Sequence, residues 1–191
     1  MRIVKLKGDY TGKRLERQSQ AKESKCDIVL SFHFNAASSP NAAGAEVYYN
    51  NKPGAKEIAE KLLSVIVSIL NVPNRGAKPS AGTRAAFIEN YHCPTVLLEP
   101  LFITNPSEAR LVHDLPTIQR LARAIAKTVF GRFKCIGIDV GHKFKTSNPN
   151  DRGARCVFSQ GCTEAFHAEL LADMTISELR TLAKQQEGTS R

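Results

Sequence analysis

Apolar and polar positions along the chain divide it into short β-type runs and longer stripes of helical period. Asp27 to Phe34 is an apolar run bounded by charge and by the small-residue loop Ala36 to Gly44, which predicts a short buried strand. It ends in Ser31-Phe32-His33-Phe34-Asn35. Side chains alternate along a strand, so Ser31, His33 and Asn35 share one face while Phe32 and Phe34 share the other. Further β-type runs are Ile3 to Leu6, Gly44 to Tyr49, Ala85 to Ile88, Thr95 to Leu98 and Cys135 to Val140. Proline has no N–H for a ladder bond, so Pro100 stops the fourth of these and leaves Glu99 at its end. The last run ends on Gly141-His142.

Helical patterning is clearest over Ala55 to Leu70, where Ile58, Leu62, Val65, Ile66 and Ile69 form one stripe. Gly12 to Lys25 is polar and helix-compatible. Asn105-Pro106-Ser107-Glu108 opens a short helix, and Asp114-Leu115-Pro116 caps another striped by Ile118, Leu121, Ile125 and Val129. Thr163 to Lys184 reads as a helix with Phe166, Leu170, Leu171, Met174 and Leu182 on one side, followed by a frayed tail. Asn71 to Gly82 and Lys143 to Gly161 read as loops. Strands alternating with helices imply an α/β fold, a mostly parallel twisted sheet flanked by helices in three layers. No repeat or linker divides residues 1–191, so a single domain is expected.

The apolar content of 42% is that of an ordinary globular protein, but the net charge of +9 favours an anionic partner. The charge is scattered, and four Tyr with no Trp offer no stacking platform for bases, so nucleic acid is not expected. Five cysteines (Cys26, Cys93, Cys135, Cys156, Cys162), odd in number and without CxxC spacing, argue against a disulfide framework and a thiolate zinc site. They suit synthesis in a reducing cytoplasm. The opening residues carry no apolar core of a secretory signal, and no apolar run is long enough to span a bilayer.

Three strands thus end in ionisable groups: His33, Glu99 and His142. A mostly parallel sheet delivers such residues to one edge. Glu164 follows Thr163, a good N-cap, and a carboxylate there also suits the helix dipole. Two imidazoles and a carboxylate make a common catalytic zinc set, and a carboxylate off the metal would complete a hydrolase.

Asp139-Val-Gly-His142 resembles the Asp-Pro-Gly-His motif of zinc-dependent N-acetylmuramoyl-L-alanine amidases. Ser31-Phe-His33-Phe-Asn35-Ala36, Gly44-Ala-Glu-Val-Tyr-Tyr49, Arg75-Gly76 and Glu99-Pro-Leu-Phe102-Ile-Thr-Asn105-Pro106 resemble further motifs of that family. The order differs: the segment with Gly-His and the ligand helix comes first in the family and last here. The chain therefore resembles a circular permutant, with residues 134–185 corresponding to the family's first strand and helix.

The resemblance implies a zinc ion on His33, His142 and Glu164, with Glu99 as the catalytic carboxylate. Glu169 and His167 are alternatives for the third ligand. Glu164 is preferred because Phe166, Leu170 and the later stripe then match the family helix. His92, His113 and His167 are read as surface or packing residues, and Asn35 as either a hydrogen-bond support for His33 or a turn former. The family's His-Gly-Gly is His142-Lys143-Phe144 here. The implied substrate is peptidoglycan, cut at the amide between N-acetylmuramic acid and L-alanine. The implied setting is a monomeric phage endolysin, made in the cytoplasm and acting on the wall after release; a bacterial origin fits equally. The rival readings are a zinc peptidase of the stem peptide and an inactive wall- or nucleic-acid-binding protein.

Overall fold

The computed structural model describes residues 1–9, 15–143, 145, 147–158 and 162–189. Six strands form one sheet: β1 (Arg2–Lys5), β2 (Ile28–Phe32), β3 (Ala45–Tyr49), β4 (Asn74–Pro79), β5 (Thr95–Glu99) and β6 (Cys135–Val140). Their order is β1-β6-β2-β5-β3-β4. β1, β6, β2 and β5 are mutually parallel, and β3 runs antiparallel to β5 while pairing parallel with β4. The expected mostly parallel sheet with helices on both faces is what the chain builds.

The helices are α1 (Glu16–Glu23), α2 (Ala55–Leu70), α3 (Pro106–Ala109), α4 (Leu115–Val129) and α5 (Glu164–Thr189). β2 shows why two layers of helix are needed. Its Ile28, Leu30 and Phe32 enter the larger core with α2, α4 and α5, while Val29 enters a smaller one with Ala21 of α1 and Ile88. A strand buried on both faces reads as a continuous apolar run, as this one does.

Several elements depart from the sequence pattern. Residues 85–88 do not form a strand; Ala86–Asn90 is a 3-10 turn whose Ile88 plugs the smaller core. The loop expected over 71–82 contains β4, an edge strand with polar, half-exposed residues and no apolar alternation to announce it. The first residues of the expected 12–25 helix lie outside the described residues, and α1 covers Glu16–Glu23.

α2 buries Leu63 and Leu70 in place of Val65 and Ile69, whereas all four stripe residues predicted for α4 are buried. α5 is the largest correction. It runs on to Thr189 through the expected tail, and its buried face is Ala165, Ala168, Leu171, Ala172, Ile176 and Leu179. Phe166 is 53% exposed. Alanines let the helix approach the sheet closely, and a pattern weighted to large apolar residues overlooks them. The expectation that the cysteines form no disulfide also fails, because Cys156 and Cys162 are joined. Arg155 bridges antiparallel to Thr163 and the Cys156 N–H bonds the Cys162 carbonyl, which brings the sulfurs together without any CxxC spacing. Cys26, Cys93 and Cys135 are free and buried.

Candidate metal centre

The site gathers where β2, β5 and β6 end on one edge of the sheet. His33 follows β2, and its backbone N–H still bonds the Leu98 carbonyl of β5 at 3.0 Å. β6 leaves the sheet through Gly141, whose N–H bonds the Phe32 carbonyl at 2.8 Å. His142 then adopts φ 58°, a left-handed conformation that costs a side-chain-bearing residue roughly 1–2 kcal/mol. The turn swings its imidazole back to His33, with ring centroids 5.4 Å apart. The approach is close because residue 141 lacks a side chain: a Cβ there would lie 2.4–2.7 Å from three atoms of the His33 ring.

Glu164, in the first turn of α5, stands between the two rings. Its Oε1 lies 2.8 Å from His33 Nδ1 and its Oε2 3.3 Å from His142 Nε2. Burial opposes its charge, but hydrogen bonds from His142 and His33 hold it well below the usual carboxylate range. His142 also loses by burial, yet Glu164 and then Asp151 raise its pKa above the ordinary value. Asp151 Oδ1 sits 2.9 Å from His142 Nδ1 and orients that ring from behind. Lys145 pairs with Asp151 and, against the cost of burial, helps pull its pKa down to about 2.

Glu99 closes the group. It ends β5 as Pro100 predicts, is 6% exposed, and its Oε2 has no hydrogen-bond partner among the described residues. Burial first, and the Glu164 carboxylate second, push its pKa well above the ordinary range, with Arg84 offsetting part of the shift. His33, Glu99, His142 and Glu164 line one cavity of about 380 Å³, together with Arg84, Phe87 and Lys145.

The donor atoms of His33, His142 and Glu164 lie within 4.8 Å of one another. Two neutral imidazoles and a carboxylate suit zinc and leave a coordination position for water. The structure thus brings together all four residues singled out in the sequence. It separates the alternatives: Glu169 pairs with Lys143 and Lys5, and His167 faces Cys162 and His113.

Asn35 does not reach His33. Its amide donates to Glu46 at 2.6 Å, and its carbonyl accepts from Arg84. Ser31 donates to Asp139 at 2.8 Å, beneath the site. Asp151, Lys145 and Arg84 were not singled out, and only their proximity in space marks them. Phe144 lies outside the described residues.

Gly141→Ala is expected to push the His33 ring aside. Overpacking of this kind costs about 1–3 kcal/mol. Thermal denaturation and metal analysis check this, and wild-type metal loading with unchanged stability would refute the close fit.

The α/β sheet thus carries, at the carboxyl ends of its strands, a two-histidine, one-glutamate cluster of the kind that can hold a metal ion. The comparisons are more particular. The family profile described as N-acetylmuramoyl-L-alanine amidase matches residues 3–130, more than half of the chain, and the chain belongs to that family. The N-acetylmuramoyl-L-alanine amidase LytC of Bacillus subtilis (strain 168) is 32% identical over 114 residues, which cover 58% of this chain and 22% of that protein. The chain therefore spans only about a fifth of the length of that curated relative.

Among solved structures, the N-acetylmuramoyl-L-alanine amidase from Clostridium difficile 630 is 30% identical with a TM-score of 0.52, over 61% of this chain and 67% of that one. The catalytic domain of CwlV, from Bacillus (Paenibacillus) polymyxa var. colistinus, is 25% identical with a TM-score of 0.52, over 60% and 62%. The profile takes in His33 and Glu99, whereas His142 and Glu164 lie beyond residue 130.

Proposed function

We propose that this chain hydrolyses the amide between N-acetylmuramic acid and L-alanine in peptidoglycan, with zinc held by His33, His142 and Glu164 and with Glu99 as the catalytic acid and base. The observation that carries this reading is the convergence of those three donors with a buried, unpaired Glu99 carboxylate in one cavity of an amidase-family chain. Zinc bound there would acidify a water and polarise the scissile carbonyl. Glu99 takes the water's proton and delivers it to the leaving amide nitrogen. Its raised pKa keeps that proton available for the second transfer. Asp151 fixes the orientation of His142, and Gly141 allows His33 to stand beside it. Arg84, whose charge favours the ionised form of Glu99, limits how far that pKa climbs.

The residues beyond the matched segment support a rearranged chain order. β6 and α5, which supply His142 and Glu164, would correspond to the family's first strand and helix. β6 lies between β1 and β2. Coordination depends on places in space, so a circularly permuted order serves the same site. The net charge of +9 favours adsorption to an anionic envelope, which suits an endolysin that lyses its host's wall.

The test is digestion of purified peptidoglycan, with products identified by mass spectrometry. New amino termini on L-alanine are expected, with loss of release after chelation and recovery on adding zinc. Cleavage within the stem peptide would replace this reading with that of a peptidase. Undiminished cleavage by metal-free protein would remove zinc from the mechanism.

A further inference from the structure

A second cluster of metal-ligating side chains lies outside the cavity. His113 ends the 3-10 turn Leu111–His113, Cys156 and Cys162 lie next to the Arg155–Thr163 bridge before α5, and His167 sits in the first turns of α5. His113, Cys156 and Cys162 offer donor atoms within 4.8 Å of one another. His113 Nε2 lies 3.3 Å from Cys162 Sγ and 3.7 Å from Cys156 Sγ, and His167 Nε2, outside that group of three, lies 3.2 Å from Cys162 Sγ.

We propose that in the dithiol state His113, Cys156, Cys162 and His167 form a second, structural zinc site. The disulfide alone leaves the surrounding imidazoles unexplained. A disulfide carries no charge and no proton, and its sulfurs are weak acceptors. Two imidazole nitrogens from separate elements nevertheless converge on it, and His167 is buried. A dithiolate–zinc centre accounts for both. With Zn–S near 2.3 Å and Zn–N near 2.0 Å, neighbouring S and N donors of a tetrahedron stand roughly 3.5 Å apart. The observed S···N separations fall around that value.

The surroundings agree. The Phe158 N–H donates to Cys156 Sγ at 3.4 Å, which stabilises a sulfur that carries negative charge. Burial, and then the neighbouring His113, lower the His167 pKa to about 4, which leaves its ring neutral. A two-sulfur, two-nitrogen set selects zinc over harder ions. The site forms when a thiol or phosphine reductant delivers two electrons and two protons to the Cys156–Cys162 bond. The metal then displaces both thiol protons.

Its place in the fold gives it a purpose. Glu164 and His167 lie one turn apart on α5, so one helix start would carry a ligand for each metal. Cys156 continues the loop that holds Asp151 against His142. The second metal would thus pin both supports of the first.

The experiment uses the full chain, reduced with a phosphine, stripped of metal and reloaded with cobalt(II). A thiolate-to-cobalt charge-transfer band is expected, and about two metals per chain. The Cys156→Ser/Cys162→Ser variant should lose the band and one metal. A His33→Ala/His142→Ala variant should keep the band while losing the other. If only the proposed amidase site fails, one metal remains with the band; if only this inference fails, one metal remains without it. In the wild-type protein alone, zinc should slow alkylation of Cys156 and Cys162 at least about tenfold, as metal-bound thiolates are shielded. No band in reduced wild-type protein, or equal alkylation with and without zinc, overturns the proposal.

Discussion

Glu99→Gln is expected to lower the rate of peptidoglycan hydrolysis by about a hundred- to ten-thousand-fold, the usual worth of a positioned acid–base group. Metal content should stay at the wild-type level, because Glu99 is not among the three clustered donors. The exchange removes a proton carrier and leaves a side chain of nearly the same shape in the cavity.

The pH profile provides a second readout. A general base works only when ionised, and burial followed by the charge of Glu164 raises the Glu99 pKa. Activity should therefore climb as pH rises through that raised value, on a limb displaced above the ordinary carboxylate range. A bound cation draws the limb partly back. The glutamine variant's residual rate should lack the limb altogether. Wild-type turnover by the variant would remove Glu99 from the mechanism.

Arg17→Met is expected to destabilise the protein by about 3–5 kcal/mol, the range for leaving one member of a buried ion pair without its partner. Arg17 and Asp139 are paired and both are 0% exposed. The guanidinium also donates to the carbonyls of Gly8, Val140 and Lys143. The last two flank the Gly141-His142 turn, so the loss should reach metal affinity as well as stability. Asp139→Asn removes the negative charge but keeps the shape and an oxygen that accepts from Arg17, and should fall between wild type and Arg17→Met. Urea denaturation with metal analysis at matched folded fraction separates the two effects. A shift under 1 kcal/mol, as surface ion pairs give, would mean that the pair is not truly desolvated.

Much of this site could be read from the chain because its signals are local. His33 follows an apolar run, Glu99 precedes a strand-stopping proline, and Glu164 follows a capping threonine. Each is visible within a few residues. What escaped has partners far apart in sequence. His113 and Cys162 belong to different elements, and no spacing rule joins them. Asp151 is an ordinary loop acid until the fold sets it behind His142.

The misread elements failed for reasons of size and place. α5 turns alanines as well as Leu171 to the core and leaves Phe166 exposed, so a signal weighted to large apolar residues places its buried face only in part. Ala85 to Ile88 is apolar because it caps a small core, not because it joins the sheet. β4, at the edge, needs only one partner and can afford polar residues.

The position of β6 has a consequence for the order of synthesis. Within the sheet β1 pairs with β6 alone, while β2 borders β6 on one side and β5 on the other. When residues 1–130 have left the ribosome, the slot between β1 and β2 is still vacant. Until residues 135–140 emerge, β1 has nothing to join in the sheet and β2 shows an open edge, the surface on which unfinished chains stick together. The same strand brings His142, so closure of the sheet and arrival of that donor coincide, and Glu164 follows with α5.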